Sequence, residues 1–224
     1  MQSIEPQKAA QYKRVGILSA MGDRFAIGAI TVLSNEYRAE TLEFGTDDVL
    51  TAKIGQALAG RYETVNLSRY REAFLAAPKY WPGQQKLLGE DRAEVTEVVR
   101  KLMSGEALDA YILVTPGAAE VRGKRIGGIG IVKLQAPFVS ARFLLHAAYV
   151  VSVIDGRDFA IVAHMRAAAL DDDRYAAITA PNWPISPQCW EAPAANQDEI
   201  RTVFDQLISR SVPETLRRAE LIGK

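Results

Sequence analysis

Residues 147–165, AAYVVSVIDGRDFAIVAHM, constrain the chain most. Two apolar runs rich in β-branched residues flank Asp155-Gly156, a dipeptide suited to the positive-φ positions of a tight hairpin turn. An antiparallel strand pair is expected here. A two-residue turn pairs Ile154 with Arg157, so His146 faces Met165 and His164 faces Ala147. Those pairs alternate faces, which puts the two imidazoles on opposite sides of a sheet.

Upstream, strands alternate with helices. KRVGILSAM (13–21) reads as a buried first strand that stops at Gly22-Asp23. Residues 25–33 and 37–44 form a second and third strand, and Arg38, Glu40 and Glu43 mark the third as wet-faced or at an edge. A helix starts near Gly45, with Thr46 or Asp47 as cap, and its stripe is Val49, Leu50, Ile54, Ala57 and Leu58. A short strand (62–67), a short helix from Ser68 and a loop (78–90) follow. Residues 90–104 give the clearest helix, with Val95, Val98, Val99, Leu102 and Met103 on one face. Residues 109–115 are apolar almost throughout, as in a strand covered on both sides.

The order β-β-β-α-β-α-α-β-β-β-β-α predicts an α/β fold. Its mixed parallel and antiparallel sheet carries helices on its faces, in a single domain over 13–224. Residues 1–12 are polar and read as a flexible tail. The segment 171–195 carries four prolines and two tryptophans and reads as a loop. Residues 196–221 form a terminal helix or helix pair, capped by Asn196 and broken or kinked at Pro213.

Conspicuous motifs fail as chemistry. VTPGAAEVRGKRIGGIG (114–130) suggests a phosphate loop, but five residues separate Gly117 from Gly123, and Arg125 stands where the magnesium-binding hydroxyl belongs. The β-like IGGIGIVKL that follows supplies no helix N-terminus for phosphate, and the dinucleotide pattern fails too. A bulged connection between strands is expected, with Arg122, Lys124 and Arg125 open to an anionic partner. Gly22-Asp23 is followed by Arg24, so no lipase-like nucleophile is present, and no G-x-S-x-G elbow exists. Asp171-Asp172-Asp173 lacks calcium-loop spacing. His146 and His164 are the only bases near neutral pH and read as structural. Cys189 is the single cysteine, which excludes an internal disulfide and a cysteine-based zinc cluster.

PNWPISPQCW (181–190) is extended and preordered by its prolines. Trp183 and Trp190 anchor it as a strap over the core, the favoured reading, or offer a partner surface.

Twenty-seven basic residues balance twenty-seven acidic ones, so no global field draws in nucleic acid or an anionic membrane. No apolar run is long enough for a transmembrane helix. The opening residues lack the apolar core of a secretory signal. A leader encoded upstream places the protein in the periplasm; otherwise it is cytoplasmic.

KRVGILSAM, TDDVLTAKIGQALAGRYETVNL, LDAYILVTPG and AYVVSVIDGRDFAIVAH together resemble the α/β domain of TolB amino-terminal regions and of CsgG-like envelope proteins, over about residues 14–168. This resemblance implies a non-enzymatic module of the bacterial cell envelope and brings no catalytic residues. The expected function is a non-catalytic binding or assembly module. Its candidate contacts are Arg122, Lys124, Arg125, Trp183 and Trp190, for a protein partner, a small ligand or a second copy of the chain. No cofactor and no metal are expected. The alternative is a small enzyme or nucleotide binder with its site in the loops at strand ends.

Overall fold

The computed structural model of the protein describes residues 2–31, 35–77, 90–136, 138–169 and 178–223. Residues 78–89 of the loop expected over 78–90, and the triple aspartate at 171–173, lie outside these residues. In chain order the elements begin with α1 (Pro6–Ala9), β1 (Arg14–Ser19), β2 (Arg24–Ile30), β3 (Asn35–Thr41), α2 (Thr46–Leu58) and β4 (Glu63–Asn66). Then come α3 (Arg71–Leu75), α4 (Glu90–Met103), β5 (Ala110–Pro116), β6 (Ala118–Val121), β7 (Lys124–Leu134) and β8 (Arg142–Asp155). The chain ends with β9 (Ile161–Arg166), β10 (Asn182–Pro184), α5 (Pro187–Glu191) and α6 (Gln197–Arg218). The expected mixed α/β fold is present.

β8 is the spine of the sheet. Its first half pairs with β7 and β10, its second half with β5 and β9, all antiparallel. β5, β1 and β4 extend one wing in parallel. In the other wing β2 runs parallel to β7, and β3 pairs antiparallel with β2. β4 and β3 end the strand order, so β3 lies at an edge as its charges predicted.

The largest core lies between the sheet and α2 and α6. Leu50, Ile54 and Leu58 of α2 meet Ile200, Phe204, Leu207 and Ile208 of α6 over Ile17, Ile112 and Val153. Phe44 stands edge-to-face between Phe25 and Phe204, with centroid distances of 5.8 and 5.4 Å. A second core joins Val95, Val99 and Met103 of α4 to Phe74, Tyr111 and Leu113. Helices therefore cover both faces of the parallel wing, which explains why β5 is apolar almost throughout.

Four expectations change. The described part of the expected tail, residues 2–12, is not loose: Ile4, Ala9 and Tyr12 are buried, and Gln2 forms a bridge with His164. Lys8 Nζ and the Tyr12 hydroxyl both reach Asp155 Oδ2, at 2.8 and 3.1 Å. Burial raises the Asp155 carboxyl, but Lys8, the Arg157 amide and Tyr12 outweigh it and hold it below its ordinary range.

The β8–β9 hairpin is longer than a two-residue turn, because β9 begins only at Ile161. Gly156 sits on the neighbouring backbone, where a Cβ would come within 1.8 Å of the Leu108 carbonyl oxygen, and its N–H donates to the Asp109 carbonyl. Phe159 then turns inward with φ 61° and stacks on Tyr111. This longer loop shifts the register, so His164 opposes Ser152 rather than Ala147.

Neither Thr46 nor Asp47 caps α2 with its side chain; Gly45 is the N-cap, with φ 75°. Finally, α6 is one helix that carries Pro213 inside it, and Asn196 makes no side-chain cap bond there. Val212 and Leu216, buried on either side of the proline, hold the helix to the core.

Candidate functional site

The glycine-rich stretch is a β-hairpin. β6 pairs with β7 from Ala118↔Gly127 to Val121↔Lys124. Arg122 and Gly123 are the two turn residues, with φ 48° and 74°, the signature of a tight hairpin turn. Arg122, Lys124 and Arg125 are exposed at or beside this tip, and Arg125 lies across from Glu120. A strand follows, so no helix amides converge on the turn.

Trp183 and Trp190 lie elsewhere. β10 places Trp183 opposite Leu145, and the Arg210 guanidinium sits 5.0 Å from the Trp183 ring centroid. Trp190 in α5 donates its indole N–H to the Gly28 carbonyl at 3.0 Å. The Arg38 guanidinium and the Lys133 ammonium lie 5.6 and 5.1 Å from the Trp190 ring centroid. Phe143 packs beside it at 5.9 Å. Both indoles are half-buried, so the segment is a strap anchored on the sheet, with cations laid over its aromatic rings.

Lys133 and Phe143 are paired across the β7–β8 hairpin, next to its last pair, Leu134↔Arg142. Beyond them the hairpin tip carries Phe138, fully exposed with φ 62°, and Val139, 54 % exposed. A bulky residue held in the left-handed region costs about 1–2 kcal/mol. The aromatic and cationic cluster thus runs into an apolar tip that sequence reading missed. Pro137 and Ser140 do signal a turn there, but nothing along the sequence shows that Phe138 faces outward rather than into the core.

His146 and the thiol are buried, and His164 is half-buried. His146 is buried on β8, and burial lowers its pKa to about 4, against a hydrogen bond with the Gly128 backbone. His164 Nδ1 lies 3.0 Å from Ser152 Oγ. Cys189 is fully buried, burial pushes its thiol up, and Ser186 Oγ donates to its sulfur at 3.4 Å. Among the described residues, no three His, Cys, Asp or Glu side chains are grouped to hold a metal. No helix among them is long and apolar enough to cross a membrane.

At the carboxyl end of β1, Asp47 is buried and organises the turn to β2. Its Oδ1 accepts from Ser19 Oγ at 2.5 Å and from the Met21 amide at 2.8 Å; its Oδ2 accepts from the Gly22 amide at 3.2 Å. Arg71 Nε donates to the Ser19 carbonyl, while its Nη2 holds Asp48 Oδ1 at 2.8 Å. Asp47 thus spends its lone pairs on the fold.

Beside this turn lies a cleft of about 270 Å³ between α2 and the edge strand β4. Asp48, Thr51, Ala52 and Gly55 line it from α2, at helical spacing; Thr64 and Asn66 line it from β4, two residues apart on one face; Ile17 lies beneath. None of these residues carried a motif in the sequence. The helical stripe and the strand alternation were each legible, but their meeting was not.

No family model matches the sequence, and no curated protein matches it. Among solved structures, a DUF330 protein of Xanthomonas campestris is similar at 8 % identity and TM-score 0.43, over 99 % of this chain and 91 % of that one. A hypothetical protein of Chlamydia trachomatis is similar at 9 % identity and TM-score 0.41, over 93 % and 96 %. A neuraminyllactose-binding hemagglutinin homologue of Helicobacter pylori is similar at 7 % identity and TM-score 0.38, over 100 % and 88 %.

Proposed function

We propose that the chain is a non-catalytic binding module that docks a protein partner through the β7–β8 hairpin tip and the aromatic cluster at its base. One observation carries this: Phe138 is fully exposed and backbone-strained, and it sits on the hairpin whose base holds Lys133, Phe143 and Trp190. Strain retained at an exposed apolar residue points to use rather than packing. Arg38 and Lys133 lie over the indole of the cluster, so the complementary surface is an apolar groove with an acidic rim. Trp and Arg are the residue types that dominate binding hot spots. The basic β6–β7 tip, Arg122, Lys124 and Arg125, is a second contact of the same kind. An envelope location belongs to this proposal and rests on the sequence resemblance.

A photo-crosslinking amino acid at position 138, introduced in cells that express the native protein, tests it. A discrete protein adduct is expected, lost when Lys133→Glu and Trp190→Ala are combined. Absence of an adduct overturns the proposal. So does a melting shift of the purified chain with a nucleotide, because a ligand that binds the folded state stabilises it by mass action.

A further inference from the structure

We propose that the cleft between α2 and β4 is a binding site for a small uncharged polyhydroxylated molecule, which goes beyond the protein-docking function. Three observations converge on this cleft.

The first is a glycine that sterics do not require. Gly55 lies inside α2, where glycine weakens a helix relative to alanine. A Cβ there would meet Ile17 Cδ1 at 3.8 Å and Thr64 Oγ1 at 3.9 Å, ordinary contacts that alanine tolerates. Its φ lies outside the left-handed region. What the missing side chain does is keep the cleft open between Ile17 and Thr64.

The second is an unsatisfied hydroxyl. Thr51, one turn earlier on the same face, is 7 % exposed, and its Oγ1 has no hydrogen-bond partner. A helical threonine ordinarily bonds back to a carbonyl of the preceding turn. A buried hydroxyl left unmatched is destabilising; helical threonine has two favoured χ1 rotamers, and a turn of Thr51 toward the cleft lets a ligand hydroxyl relieve it.

The third is the chemistry of the walls. Thr51, Thr64 and the carboxamide of Asn66 all line the cleft, and the Asn66 Oδ1 already accepts from the Ser68 amide. The one charge, Asp48, is answered by Arg71 at 2.8 Å. A phosphate needs cations or converging amides, and a polyamine needs several free carboxylates; the cleft offers neither. Groups that both donate and accept, above an apolar floor of Ile17 and Ala52, match the alternating hydroxyl and C–H surface of a polyol. The volume of about 270 Å³ limits the ligand to monosaccharide size.

The test is an amide chemical-shift titration of the full chain with D-glucose, D-ribose and myo-inositol at millimolar concentration. Spermidine and inorganic phosphate serve as charged controls. At least one polyol is expected to move the amides of Thr51, Ala52, Gly55, Thr64 and Asn66. Gly55→Leu, which fills the floor, is expected to abolish the response, and Thr51→Val to weaken it roughly tenfold. If Gly55→Leu does not fold, Thr64→Ile closes the cleft from the exposed strand instead. The proposal fails if none of the three polyols moves these amides, if only a charged control does, or if the filled variants respond like the parent. The hairpin-tip adduct is unaffected by any of these results, because the cleft lies on β4 and the tip on β7–β8, in opposite wings.

Discussion

Two glycine-bearing regions behave in opposite ways. The run from Gly123 to Gly130 is conspicuous, basic and motif-like, and two of its glycines serve the fold: Gly123 in the turn with Arg122, and Gly130 in a close strand approach. Gly55 is a single unremarkable residue in a helix, and it opens a cleft lined from both a helix and an edge strand. A glycine is informative about function only after its steric need is known. At Gly130 a Cβ would stand 2.1 Å from the Ala26 carbonyl oxygen; at Gly55 it would meet nothing closer than 3.8 Å.

The same substitution should therefore have opposite signs at the two sites. Gly130→Ala forces β2 and β7 apart, and a loss of roughly 3 kcal/mol or more is expected, read as a lower urea midpoint. An unchanged midpoint would erase the contrast. Next in size is the pH response of the spine strand that backs the glycine run. His146 is neutral in the fold, with a pKa of about 4, while an unfolded histidine titrates near 6.5. Between those values the unfolded chain binds the proton first, so stability is full above about pH 6.5 and falls as pH drops toward 4. The loss amounts to about 3 kcal/mol over that window. His146→Gln should flatten this part of the curve of unfolding free energy against pH.

Gly55→Ala, by contrast, should stabilise by about 0.5–1 kcal/mol, since it removes a helix-weakening residue without a clash. A loss of stability would mean that the glycine is structural after all. Arg122→Asn is the smallest effect: asparagine tolerates φ 48° better than arginine, and a gain of a few tenths of a kcal/mol in thermal melting is expected.

Much of the architecture was legible because it is local. Leu50, Ile54 and Leu58 repeat at helical spacing, residues 110–114 are uninterrupted apolar chain, and the charges of Arg38 and Glu40 mark an edge. The errors came where distant backbone intervened. Asp155-Gly156 has the composition of a tight turn, yet Gly156 docks against Leu108 and Asp109, and that contact lengthens the loop and moves His164. The N-terminal segment looked too polar to pack, but Ile4, Ala9 and Tyr12 suffice once Lys8 and Tyr12 have a buried carboxylate to meet. Trp183 and Trp190 stand out in the sequence, but their role as anchors depends on Leu145 and on the Gly28 carbonyl across the sheet.

By itself the sequence determined the alternation of strands and helices, the apolar faces and the failure of each familiar motif, because periodicity and spacing are properties of neighbours along the chain. Tertiary structure alone decided the register of β9, the burial of His146, the exposure of Phe138 and the meeting of Thr51 with Thr64 across a cleft. Each of these depends on which remote backbone or side chain arrives alongside, and hydrogen bonding and close packing settle that only once the sheet has formed.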